Sequence, residues 1–163
     1  MFTGALAASY YGTPRTTIDI DIVVKVAPEN IHTHLIVPLT KAGLQINKQK
    51  INDTLQSGFR IITLEDKKTL FTLDIILSEK KLEKKAGEIL GLPTFFQTPE
   101  ELILSKLRMI KVTVPPERVL KDKDDIRAIL KNIKVNVKAI EKRARRESTL
   151  NIFKELTRER ENS

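Results

Sequence analysis

The run Thr17-Ile18-Asp19-Ile20-Asp21-Ile22-Val23-Val24 constrains this chain more than any other segment. Its β-branched residues and its alternation of apolar and acidic side chains predict a β-strand that extends to about Val26. Side chains on a strand point alternately to its two faces, so Ile18, Ile20 and Ile22 share one face and Asp19 and Asp21 the other. The two carboxylates therefore point the same way, roughly 6.6 Å apart at the backbone. Burying unpaired carboxylates costs several kcal/mol, so this acid face must meet solvent, a cation or a metal.

A length of 163 residues suits one domain, or a small domain with an extension, and is enough to bury a core. The chain has no cysteine. Disulfides, thiolate zinc sites and cysteine nucleophiles are thereby excluded, any metal must be held by other ligands, and a reducing compartment is expected. No apolar run approaches the roughly 18 residues needed to cross a bilayer. The start, Met1-Phe2-Thr3-Gly4, lacks the basic and long apolar regions of a secretion signal. These features predict a cytoplasmic protein with no membrane partner. Charge is uneven: residues 1–100 hold 12 Lys and Arg against 11 Asp and Glu, whereas residues 101–163 hold 17 against 10. Almost all of the net +8 lies in the rear, as a polyanionic partner or a solvated helical surface would equally require.

Turn and periodicity signals divide the rest of the chain. Gly4 to Gly12 reads as a short alanine-rich helix ended by glycine. A helix is predicted from Pro28 through Ile31, Leu35, Leu39 and Ala42 to a stop at Gly43, and another over Ile46 to Leu55, ended by Ser57-Gly58. Phe59 to Leu64 and Thr69 to Leu77 read as two strands of a hairpin. On the second, Leu73, Ile75 and Leu77 share one face and Asp74 points to the other. Ser78 to Glu88 reads as a charged amphipathic segment and Gly91-Leu92-Pro93 as a break. Helices follow: Thr98 (as N-cap) to about Lys111, Asp122 to Lys131, Asn136 to Arg146 and Ser148 to Arg160, with a break at Val114-Pro115-Pro116. The expected class is α+β, a small mixed sheet packed by helices, with an α/β core over 1–92 and a basic helical region over 93–163.

Three acids on neighbouring strands can converge on one or two Mg2+ (or Mn2+) ions, which take oxygen ligands and leave positions open for phosphate oxygens. Such a site suits phosphoryl or nucleotidyl transfer, and a glycine-led helix before the strand offers backbone N–H groups to phosphates.

The stretch Gly4-Ala5-Leu6-Ala7 through Tyr11-Gly12-Thr13-Pro14-Arg15-Thr16-Thr17-Ile18-Asp19-Ile20-Asp21 resembles the opening motif of minimal nucleotidyltransferases of the DNA polymerase beta-like superfamily. The rear segments Glu101-Leu102-Ile103-Leu104-Ser105-Lys106 and Lys121-Asp122-Lys123-Asp124-Asp125-Ile126 resemble the helical motifs of its abortive-infection toxin branch. The resemblance runs from about residue 3 to 130. It implies Asp19, Asp21 and Asp74 as metal ligands and catalytic residues, Gly4 and Ala5 at a phosphate turn, Arg15 and Lys106 as triphosphate contacts, and Asp122 and Asp125 in a positioning role. Ala5 stands where the superfamily favours Ser or Gly, and Tyr11 where relatives often carry His. The implied activity is magnesium-dependent transfer of a nucleoside monophosphate from a nucleoside triphosphate to a hydroxyl on a tRNA end or a protein, within a toxin and antitoxin pair.

Other readings stand beside it. The acids can be a solvated strand face, and Arg15, Lys106, Asp122 and Asp125 can be ion pairs and helix-end charges. Lys142, Arg143, Arg145 and Arg146 form a candidate nucleic-acid contact or a solvated helix face. A non-catalytic RNA-binding protein and a partner-binding module therefore remain alternatives to the transferase.

Overall fold

A computed structural model describes residues 1–12, 14–44, 46–56, 60–65, 69–113 and 116–161. Ser57, Gly58 and Phe59, the hairpin link at 66–68, and Val114-Pro115 lie outside the described residues. The class is α+β. The chain divides into two units, one of residues Met1–Leu6 and Thr16–Phe96, the other of Ala7–Arg15 and Gln97–Ser163. Among the described residues, no helix is long and apolar enough to cross a membrane.

The first unit is built on three strands, β1 (Asp19–Lys25), β2 (Ile61–Glu65) and β3 (Thr72–Ser78), in the order β1-β3-β2. β3 is central, parallel to β1 and antiparallel to β2. Alternation divides the sheet into two faces. Ile62, Leu64, Ile75 and Leu77 are buried on one face with Val26, Ile31, Leu35, Ile36 and Ile51, and Ile22, Val24 and Leu73 pack against this core. The acids project from the opposite face. A parallel neighbour requires a long crossover, and the helical segments Pro28–Asn30, His32–Lys41 and Lys48–Gln56 form part of the chain between β1 and β3.

The first part of that crossover is less regular than the helix expected from Pro28 to Gly43. It runs as a 3-10 turn over Pro28–Asn30, a π-helical stretch over His32–Ile36 and the short α2 (Val37–Lys41), before α3 (Lys48–Gln56). Pro38 explains the widening, because in an α-helix its ring would meet the carbonyl of His34 and its missing N–H would leave that carbonyl unbonded. The Val37 N–H bonds instead to the His32 carbonyl, five residues back. Ile31 and Leu35 still reach the core.

Residues 84–97, expected as part of an amphipathic segment and a break, form a second sheet. β4 (Lys84–Ile89) and β5 (Leu92–Gln97) are joined by Leu90 and Gly91, both at positive φ (50° and 80°). Two such residues in succession suit the right-handed twist of a hairpin. Lys84 Nζ lies 3.8 Å from the centre of the Phe95 ring. Phe96 is buried and its ring stands 5.9 Å from that of Phe2. Phe2 belongs to a short extended start: its N–H donates to the Phe95 carbonyl (2.8 Å), while the N–H of Thr3 donates to the Asp21 carbonyl (3.0 Å). The start of the chain is thus pinned to β1 before α1 (Gly4–Tyr11) begins.

In the second unit, α4 (Pro99–Val112), α5 (Pro116–Asn132), α6 (Val137–Arg146) and α7 (Leu150–Glu161) bury Leu102, Ile103, Leu104, Leu107, Ile126, Ile129, Ile140, Phe153 and Leu156. Their spacing by threes and fours is the apolar stripe of surface helices around a shared core. α5 begins six residues earlier than the sequence predicts, at Pro116, whose fixed φ suits a first turn. α6 is capped by Asn136, whose side chain accepts from the Ala139 N–H at 3.0 Å. Thr98 stands at the N-cap of α4 as expected, yet its hydroxyl makes no capping bond and, though buried, meets no partner among the described residues.

Candidate metal and nucleotide site

Asp21 and Asp74 stand side by side. β1 and β3 pair in parallel with Asp21 opposite Asp74 and Asp19 opposite Thr72. Neighbouring strands lie roughly 4.8 Å apart, so both carboxylates leave the same sheet face from adjacent backbones. Asp19, one pleat earlier on that face, is exposed, and Asp21 and Asp74 are half-buried. Among the described residues, no three acidic or imidazole groups are already gathered as a metal cage.

Two features position this pair. Thr63 on β2 lies opposite Asp74 in register, and its hydroxyl donates to Asp74 Oδ1 at 2.6 Å. Thr63 was not legible in the sequence, because strands ending at Leu64 and starting at Thr69 would set position 59 opposite Asp74, whereas the observed register starts at Glu65 and Thr72. Gly4 opens α1 at φ 59° against Asp21. A Cβ at Gly4 would lie 2.7 Å from Asp21 Cγ and nearer still to Oδ2. The position therefore demands glycine twice, for its left-handed backbone and for its closeness to the carboxylate. It also sets Asp21 beside the positive end of a helix, where a negative charge is favoured. Ala5, next in the helix, is buried.

The other four residues expected around a nucleotide meet in the second unit. Arg15 grips Asp125 with two bonds, Nε to Oδ1 at 3.1 Å and Nη2 to Oδ2 at 3.0 Å. Lys106 Nζ lies 2.7 Å from Asp125 Oδ2 and 2.8 Å from Asp122 Oδ1. Lys106 and Asp125 are 5% and 7% exposed, so their pair is desolvated, while Arg15 closes the network at the surface, and two cations offset two anions. Arg15 and Lys106 consequently have their charge engaged by carboxylates. Tyr11 lies in the same unit, buried, and its hydroxyl donates to the Gln97 carbonyl at 2.9 Å. Burial raises its pKa to about 12, with the charges of Tyr10 and Glu100 adding to the effect.

The basic run of α6 does not act as one block. Arg143 is drawn into an ion pair with Glu101 of α4. Lys142, Arg145 and Arg146 are exposed, with no ion pair among the described residues, and Lys138 joins them. Helical spacing with Lys142 and Arg145 was the signal for Lys138 in the sequence.

No model of a known protein family matches this chain, and no curated protein matches it.

Proposed function

We propose that the chain is a magnesium-dependent nucleotidyltransferase that moves a nucleoside monophosphate from a nucleoside triphosphate to a hydroxyl. The observation that carries this reading is the register that sets Asp21 abreast of Asp74, with Asp19 on the same face. The all-oxygen donor set of these three residues suits Mg2+ or Mn2+, and they are the residues that would hold it. Such an ion, when bound, neutralises charge that grows on the phosphate oxygens and lowers the pKa of an attached hydroxyl.

The chain's own groups account for the remaining roles. Thr63 orients Asp74 through its hydrogen bond, leaving Oδ2 to receive the proton of the acceptor hydroxyl. The acceptor oxygen forms a bond to the α-phosphorus as the bond from that phosphorus to the bridging oxygen breaks, and pyrophosphate leaves. The Gly4-Ala5 turn is the element proposed for phosphate contact, with backbone N–H groups as donors. Arg15, Lys106, Asp122 and Asp125 take a positioning role, because a network with no net charge offers little attraction to a triphosphate. A tRNA end or a protein side chain is the proposed acceptor, an antitoxin is the proposed partner, and the proposed setting is the cytoplasm.

Incubation with each α-labelled nucleoside triphosphate, Mg2+ and a total tRNA or protein extract tests the reading. Label is expected on one acceptor class, with transfer reduced by at least about a thousandfold in Asp19→Asn/Asp21→Asn, a loss of about 4 kcal/mol in transition-state stabilisation. Unchanged transfer by a folded double variant would reject the assignment.

A further inference from the structure

We infer that the outer face of α6 is a docking surface for the phosphate backbone of an RNA duplex, and this inference stands independently of the transferase reading. Ile140 and Ala144 bury one side of α6 completely. Lys138, Lys142, Arg145 and Arg146 are exposed at positions i, i+4, i+7 and i+8, roughly 140 to 240° around the axis from Ile140. The four span about 12 Å of helix. Arg143, though part of the same basic run, is held by Glu101. Glu141 is the single acid among residues 137–146, and none of the four exposed cations has an ion pair among the described residues.

Like charges at i, i+4 destabilise a helix, and Lys138 with Lys142 and Lys142 with Arg146 form two such pairs. A polyanion laid along the face removes that repulsion and releases its own counterions. The chemistry of the face narrows the occupant further. It holds only Lys and Arg, without the aromatic side chains on which single-stranded bases stack. A helix anchored along its opposite side presents a one-sided strip of charge, which suits contact with backbone phosphates across the wide, shallow minor groove of A-form RNA.

The test is fluorescence anisotropy of the full chain with a labelled RNA stem-loop over a series of salt concentrations. Lys138→Gln/Lys142→Gln/Arg145→Gln/Arg146→Gln is expected to weaken binding at least about tenfold at fixed salt and to flatten the log-log salt slope by about 3.6. Lys121→Gln/Lys131→Gln/Lys154→Gln/Lys134→Gln, the same change of net charge at exposed sites outside α6, is expected to change affinity less than threefold. An equal loss in both variants would overturn the assignment in favour of diffuse net charge. Equal or tighter binding to the corresponding DNA duplex, to single-stranded RNA or to phosphatidylserine vesicles would overturn the choice of duplex RNA. Lys142→Glu/Arg145→Glu gives a second reading of the face and is expected to weaken RNA binding more than the neutral changes at the same two sites.

Discussion

The two units use aspartate in opposite ways. In the helical unit, Asp125 is buried and met by both Lys106 and Arg15, so its charge is consumed within the fold. In the sheet unit, Asp74 is half-buried, shares its sheet face with Asp21 and accepts from a neutral hydroxyl. A cation next to a carboxylate fixes it as structure. A hydroxyl orients a carboxylate without neutralising it. The same side chain is thus an anchor in one unit and a reserve of negative charge in the other.

Applying one substitution to both units is the most direct way to break this comparison. Asp125→Asn keeps shape but leaves one side of the buried Lys106 ammonium, and the exposed guanidinium of Arg15, without a counter-charge. It is expected to destabilise the fold by about 3–5 kcal/mol, the usual cost of breaking a buried pair from one side. Asp74→Asn keeps an acceptor for Thr63 in a half-buried setting, so its expected change is within about 0.5 kcal/mol. Urea unfolding followed by circular dichroism compares the two. Equal losses would mean that Asp74 is as structural as Asp125.

Gly4→Ala sharpens the sheet half of the comparison at a smaller scale. The left-handed backbone at φ 59° costs an alanine about 1–2 kcal/mol, and the added methyl group must turn the Asp21 carboxylate aside. Asp21→Ala/Gly4→Ala separates the two contributions, since an alanine at position 21 takes away the carboxylate that the new methyl group would strike, leaving only its Cβ at 3.1 Å, but does not remove the backbone strain. The double variant is expected to lose less stability than the sum of its single variants. Additive losses in thermal unfolding would show that Gly4 is needed for its backbone alone.

How much of this was legible in the sequence depended on whether the signal was local. β1 and β3 were legible because isoleucine alternates with acid or polar positions, which also fixed the shared face of Asp19 and Asp21. α4 and α6 announced themselves through Pro99 with two following acids and through the cap at Asn136. β4 did not, because Lys84-Lys85-Ala86-Gly87-Glu88 has little strand preference of its own and owes its conformation to pairing with β5. Its one local signal was a two-residue Leu90-Gly91 turn between short segments. Arg15, Lys106, Asp122 and Asp125 stand out in the sequence only through the resemblance, and their mutual pairing, which joins positions 110 residues apart, has no periodic trace. Arg143 teaches the same point: Lys142 before it faces solvent, whereas one step around the helix brings Arg143 to Glu101.

Tyr11 offers the smallest effect and tests a different feature of the helical unit, a polar group held neutral rather than paired. Its hydroxyl is buried and donates to a carbonyl, and its pKa is raised to about 12 from an ordinary value near 10. The unfolded chain therefore loses this proton at a lower pH than the folded one. The contribution of Tyr11 is fully present below about pH 10 and is lost as pH rises toward 12, because ionisation then favours the unfolded state. Tyr11→Phe removes one hydrogen bond, an expected loss of about 1 kcal/mol at pH 8. The same variant also removes the ionisation, so its disadvantage relative to the parent is expected to shrink between pH 10 and pH 12. Paired urea titrations at pH 8 and pH 11 measure the change, and a gap that stays constant would mean that Tyr11 ionises as readily in the folded chain as in the unfolded one.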